Sequence, residues 1–112
     1  MKTDRELLGM AAKAFGLAID FDSNGHPFCT NCCEVDWNPI EDDGDALRLA
    51  VRLGFDLIRD WNIYPEATAL ATISVVLTDV GTLSEEPLED DPYLATRRAI
   101  VRAAAAIGEQ MK

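Results

Sequence analysis

Apolar residues recur at three- and four-residue spacing at Leu7, Leu8, Ala11, Ala14 and Phe15, the repeat that lines one face of a helix. Thr3-Asp4-Arg5-Glu6 precedes them as a capping box: the Thr3 hydroxyl accepts from the Glu6 amide, and the Glu6 carboxylate reaches back to the Thr3 amide. Gly16 is placed to close the helix in a left-handed conformation, so the pattern predicts a first helix over residues 4–15. The period then shortens to two. Leu17, Ile19 and Phe21 alternate with smaller or charged residues, as in a half-buried strand over 17–22. Ser23-Asn24-Gly25 reads as a turn, and Phe28 to Val35 as the returning strand of a hairpin whose pairing Pro27 delays.

Glu41, Asp42, Asp43 and Asp45 then crowd the place where a helix N-terminus presents unpaired amides and a partial positive charge. From Ala46 onward, Leu47, Leu49, Ala50, Val51 and Leu53 form a broad apolar face that ends at Gly54. Phe55-Asp56-Leu57-Ile58 is a short strand candidate, a loop follows near Trp61 to Pro65, and Thr68 to Leu77, rich in Thr, Ile and Val, is the strongest strand candidate. Residues 79–91 carry Gly81, Pro87 and six acids with little periodicity and read as a solvated loop or mobile linker. Asp91-Pro92 supplies an N-cap and a first-position proline for a last helix, buried along Leu94, Ala95, Ala99, Ile100, Ala103, Ala104 and Ile107. The expected fold is one α+β domain over residues 1–112, in the order α-β-β-α-β-β-α, with an antiparallel sheet covered by helices.

Composition narrows the partners. Across 112 residues, 20 Asp and Glu stand against 10 Lys and Arg, a net charge of −10 that repels phosphate backbones and anionic lipid heads. Direct nucleic-acid and membrane-surface binding are disfavoured. No apolar run approaches the roughly 20 residues that span a bilayer, and the N-terminal MKTDRELLGM lacks the apolar core of a secretory signal. A cytoplasmic protein is expected, with Cys29, Cys32 and Cys33 as reduced thiols, since three neighbouring cysteines do not pair evenly or staple distant parts of a fold.

Several clusters have chemistry to weigh. Cys29-x-x-Cys32 with Cys33 and His26 nearby has the spacing of half a zinc site, which a carboxylate or a second subunit would have to complete. Small apolar residues on a strand are the plainer reading, and no other cofactor is expected. A redox pair would want its first Cys at a helix start, and a His26–Cys29 nucleophile would want a third orienting group. Asp20-Phe21-Asp22-Ser23-Asn24-Gly25 matches the first half of a calcium loop, but the twelfth position is Asn31 in place of Glu. Asp42, Asp43 and Asp45 could hold magnesium, although helix capping accounts for them. Phosphate-binding glycine loops, G-x-S-x-G and H-E-x-x-H are missing, so no catalytic residue is assigned.

At Trp37-Asn38-Pro39, Asp43-Gly44-Asp45-Ala46-Leu47-Arg48-Leu49-Ala50-Val51 and the segment Ala95 to Ala105, the chain resembles small phage and prophage proteins of the ABA-sandwich type. The resemblance implies a phage origin and a sandwich-like α/β arrangement, with the host cell cytoplasm as location, and it implies no catalytic residue. Physically, Trp37 and Pro39 pack where the second helix begins and Asn38 bonds the turn, or else Trp37, Asn38 and the following acids form a recognition surface.

Two classes of function follow. The first is an accessory protein-binding module whose acidity suits a basic surface on a host or phage protein, such as a nucleic-acid-handling or defence complex that it would inhibit. The second is a small-molecule or nucleotide-binding protein with a pocket between sheet and helices. The binding residues expected are Trp37, Asn38, Asp42, Asp43, Asp45, Arg97 and Arg98, with the two arginines as phosphate ligands in the second class. The small residues Ala99, Ala103, Ala104, Ala105 and Ala106 would let a second copy pack closely on the last helix.

Overall fold

The computed structural model describes residues 3–30, 37–62, 70–77, 80–87 and 91–111. It is an α+β fold in the order α1 (Asp4–Phe15), β1 (Ile19–Phe21), β2 (Pro27–Cys29), α2 (Asp43–Leu53), β3 (Phe55–Asn62), β4 (Leu70–Leu77), β5 (Gly81–Pro87) and α3 (Pro92–Gln110). Strands β1 and β2 form a two-stranded sheet; β3, β4 and β5 form a three-stranded one in that order, all pairs antiparallel.

Helix boundaries follow from their caps. The Thr3 hydroxyl accepts from the Glu6 amide at 3.2 Å, and the Glu6 carboxylate accepts from that hydroxyl, in place of the Thr3 amide the capping box predicts. Gly16 and Gly54 end α1 and α2 at φ 91° and 74°, a conformation that an L side chain strains to adopt. Asp42 caps α2 by accepting from the Asp45 amide at 2.7 Å, and this starts the helix at Asp43, three residues before the apolar face begins. Asp91 caps α3 in the same way through the Leu94 amide, with Pro92 next.

Helix α3 is the hub. Its small face, Ala99, Ala103, Ala104, Ala105 and Gly108, is buried within the chain, between α1 and α2 on one flank and the sheet on the other. Gly108 lies so near α1 that a Cβ there would stand 2.7 Å from the Met10 carbonyl carbon. The alanines thus bring α1 and the sheet close, and the face expected to receive a second copy is occupied by the chain itself. Leu49, Val75 and Val101 are the largest aliphatic side chains fully enclosed, with Trp37, Ile40, Ile73 and Ile100 around them.

Four expectations change. The first hairpin strands are three residues each, with Pro27 inside β2, and positions 31–35 lie outside the described residues. Strand β3 extends to Asn62 and so takes in Trp61, which the sequence placed in a loop; the remainder of that loop lies outside the described residues. Only Ala46, Leu49 and Ala50 of α2 are buried, so Leu47 and Val51 stand exposed where a broad apolar face was expected.

The fourth is a correction: most of the span read as a loop or linker, 79–91, is strand β5. A register shift between Val75 and Val76 leaves Leu83 as an extra residue in β5, which breaks the two-residue period that would have shown a strand. Of its half-buried positions, Leu83 packs against the core, and Ser84 and Glu86 are polar. Ser84 donates its hydroxyl to the Ala99 carbonyl of α3 at 2.6 Å. Glu86 pairs with Arg102, although its buried Oε1 sits outside hydrogen-bond geometry with that guanidinium.

Candidate functional site

Between the β1–β2 hairpin and α2, the chain passes through Trp37-Asn38-Pro39-Ile40-Glu41-Asp42. Trp37 and Pro39 are buried, and the Trp37 ring meets Phe15 of α1 at 6.3 Å between centroids. The Asn38 carboxamide oxygen accepts from the Ile40 and Glu41 amides, while the Asn38 amide donates to Asp45 at 2.9 Å. A short polar side chain turning the backbone on itself explains why Asn stands at this position.

The structure brings Asn38, Asp42, Asp43, Asp45 and Arg97 into one cluster, and each has an internal task. Arg97 reaches from α3, donating through Nε to the Ile40 carbonyl at 2.7 Å and through Nη1 to Asp43 at 2.7 Å. Asp45 also pairs with Arg48 at 3.1 Å. Arg98, one position on, leaves the cluster and forks onto Asp4 of α1 at 3.2 and 3.3 Å. These bonds form a clasp across loop 37–42, α1, α2 and α3.

The pattern extends to the other cations whose side chains are described. Arg102 pairs with Glu86, Arg5 and Arg52 lie over the rings of Phe21 and Phe15 at 4.4 and 5.4 Å, and Lys13 donates to the Met111 carbonyl at 2.7 Å. Among the described residues, acids such as Glu41 and Asp56 are exposed with no cation beside them.

A hollow of about 260 Å³ that no sequence motif announces lies between the α1 N-terminus, the first hairpin turn and the loop, lined by Arg5, Phe21, His26, Asn38 and Glu41 among others. These residues are distant in sequence, so no local spacing announces the site. In a neighbouring hollow that shares His26, Asn38 and Glu41 with it, Asp22 accepts from the Asn24 and His26 amides at 2.8 and 2.9 Å and stands 3.6 Å from the His26 ring. The His26 amide bond, followed by burial acting in the opposite sense, the Asn24 amide and the His26 ring, holds the Asp22 carboxyl below its ordinary 3.8. The half calcium loop thus serves as an Asx-type turn.

Of the proposed zinc ligands, His26 and Cys29 are described, while Cys32 and Cys33 lie outside the described residues. Cys29 is buried on β2 and disulfide-bonded, which corrects the expectation of a reduced thiol there. An odd cysteine count leaves a residue over but does not prevent one pair. In that state Cys29 has no thiolate for a metal. No group of three or more metal-ligating side chains is found among the described residues, and no helix among them is long and apolar enough to cross a membrane. In comparisons with family models, curated proteins and solved structures, the chain matches none.

Proposed function

We propose that the protein is an acidic protein-binding module that engages a basic surface of a host or phage protein. The observation that carries this reading is the disposition of its cations. Arg48, Arg97, Arg98 and Arg102 are paired with carboxylates, Arg5 and Arg52 with aromatic rings, and Lys13 with a carbonyl. The outward field is then set by the surplus acids of a chain of net charge −10, and such a field draws in Lys- and Arg-rich surfaces and speeds their association at low salt. The resemblance to phage proteins extends the proposal to an accessory role against a nucleic-acid-handling or defence complex, in the cytoplasm of the host. Affinity capture from host lysate at low and at high salt tests it: a partner with a basic surface, retained at low salt and released at high, is expected. A partner held equally at both would refute the electrostatic basis.

A second reading is supported by the hollow beside Arg5, whose size suits a small polar molecule. Thermal-shift measurements with nucleotides and metabolites test it, and a flat response across them would exclude it. The engagement of Arg97 and Arg98 in the clasp counts against their use as phosphate ligands.

A further inference from the structure

We propose that the outer edge of β3 takes up an extended, Lys- or Arg-bearing segment of the partner as a fourth strand of the sheet. This rests on the reading of the protein as a module for basic partners and gives that module a docking site. Two strands, β3 and β5, end the three-stranded sheet, and they differ in how the edge is treated. Strand β5 carries the bulge, begins at Gly81 with φ 101° and ends at Pro87, all features that discourage a further strand. Strand β3 has none of these. Its eight residues pair with β4 in unbroken register, without Gly or Pro, and among the described residues nothing pairs with its other edge.

The side chains at its centre are apolar and open. Leu57 and Ile58, on opposite faces of the strand, are 40% and 43% exposed. Leu57 sits opposite Val75 on the core side, yet the packing of α3 on β5 and β4 and of α2 on β3 leaves it partly open. An added strand with apolar residues at its middle would cover both.

Charge selects the occupant. A second copy pairing antiparallel about Ile58 would set Asp56 of one chain at the register position opposite Asp60 of the other, twice over, in a dimer carrying double the net charge of −10. Like charges directly opposite one another on a sheet are destabilising. A segment with Lys or Arg flanking a central apolar pair meets Asp56 favourably, buries Leu57 and Ile58, and supplies main-chain partners for the open edge.

Amide hydrogen exchange and NMR shifts of the whole protein test this, with the capped hexapeptide Lys-Thr-Val-Val-Lys-Thr at millimolar concentration and the same peptide with Glu in place of Lys. The Lys peptide is expected to slow exchange at alternate β3 amides by about tenfold or more while leaving β5 unchanged. Its affinity should fall several-fold as salt rises from about 50 to 300 mM, and the Glu peptide should leave β3 unchanged. Asp56→Lys should reverse the preference between the two peptides, and its native spectrum would show that the fold is kept. Equal binding of the Glu peptide, protection of β5 in place of β3, or β3 protected by self-association in the absence of peptide would each overturn the proposal. Lys-peptide binding that leaves β3 unprotected defeats the edge site and spares the acidic-module reading. No binding of the Lys peptide or of polylysine at low salt defeats both.

Discussion

Replacing Arg97 with Ala removes two bonds at once: the one from Nε to the Ile40 carbonyl and the one from Nη1 to Asp43. They are not of equal weight. Asp43 is 73% exposed, so water screens that pair and leaves it about 0.5 kcal/mol. The Ile40 carbonyl belongs to a buried residue, and Arg97 itself is only 16% exposed, so a charge-assisted bond there contributes about 1.5–3 kcal/mol. Arg97→Ala should therefore lose about 2–3.5 kcal/mol, and Asp43→Ala about 0.5–1 kcal/mol, the latter including its place in the first turn of α2. Arg97→Lys should fall between, because one ammonium replaces a fork that meets two acceptors in fixed geometry.

Urea unfolding of the three variants measures these losses directly, and the Ala variant should melt roughly 10 °C lower. The same experiment separates a clasp from a ligand site. A phosphate-binding arginine would leave stability nearly unchanged when removed and would abolish stabilisation by ligand. A loss below about 0.5 kcal/mol for Arg97→Ala, or equal losses for Arg97→Ala and Asp43→Ala, would refute the reasoning.

Three further outcomes are expected. Gly108→Ala should destabilise by about 1–2 kcal/mol, overpacking against Met10 outweighing the gain in helix propensity, whereas Gly9→Ala on the open face of α1 should stabilise by up to about 1 kcal/mol; chemical denaturation showing the same sign for both would contradict the close approach of α1 and α3. The Asp22 carboxyl should titrate below 3.8 by NMR, and because its folded value is depressed, its contribution is present above 3.8 and lost as pH falls through the lower folded value. A midpoint at or above 3.8 would show that the turn bonds to Asn24 and His26 are absent in solution. Alkylation of the denatured, unreduced protein should leave Cys29 unmodified, and prior reduction should expose it; modification before reduction would contradict the disulfide.

What the sequence makes legible here is local. Thr3, Gly16, Asp42, Gly54 and Asp91 each act within one helical turn, and each is found at the helix end its chemistry indicates. Strand β5 is illegible in the sequence because two of its three half-buried positions are Ser84 and Glu86, polar residues whose partners, Ala99 and Arg102, lie on a helix still to come in the chain. The length of β3 was hidden for a related reason: partners on β4, not composition, hold Arg59 to Asn62 in the ladder. Of the residues expected at a binding site, Asn38, Asp42, Asp43, Asp45, Arg97 and Arg98 bond within the chain. That Arg97 spends its donors on Ile40 and Asp43, and Arg98 on Asp4, depends on contacts across 54 or more residues that no spacing rule encodes.

The two faces of this molecule answer different needs, and the difference bears on function. Around loop 37–42, polar groups are matched inside the chain, so a ligand arriving there would have to displace bonds already made, and the net gain would be small. At the β3 edge the balance is reversed: Leu57 and Ile58 are partly open to water and no described strand pairs with the edge, so among the described residues an added strand would displace no existing pairing. Acidity adds selection to that opening. On the proposed reading, a chain whose described cations are engaged internally would offer little to a phosphate and would attract ammonium and guanidinium groups from a distance, so that recognition would begin with charge and be completed by main-chain pairing.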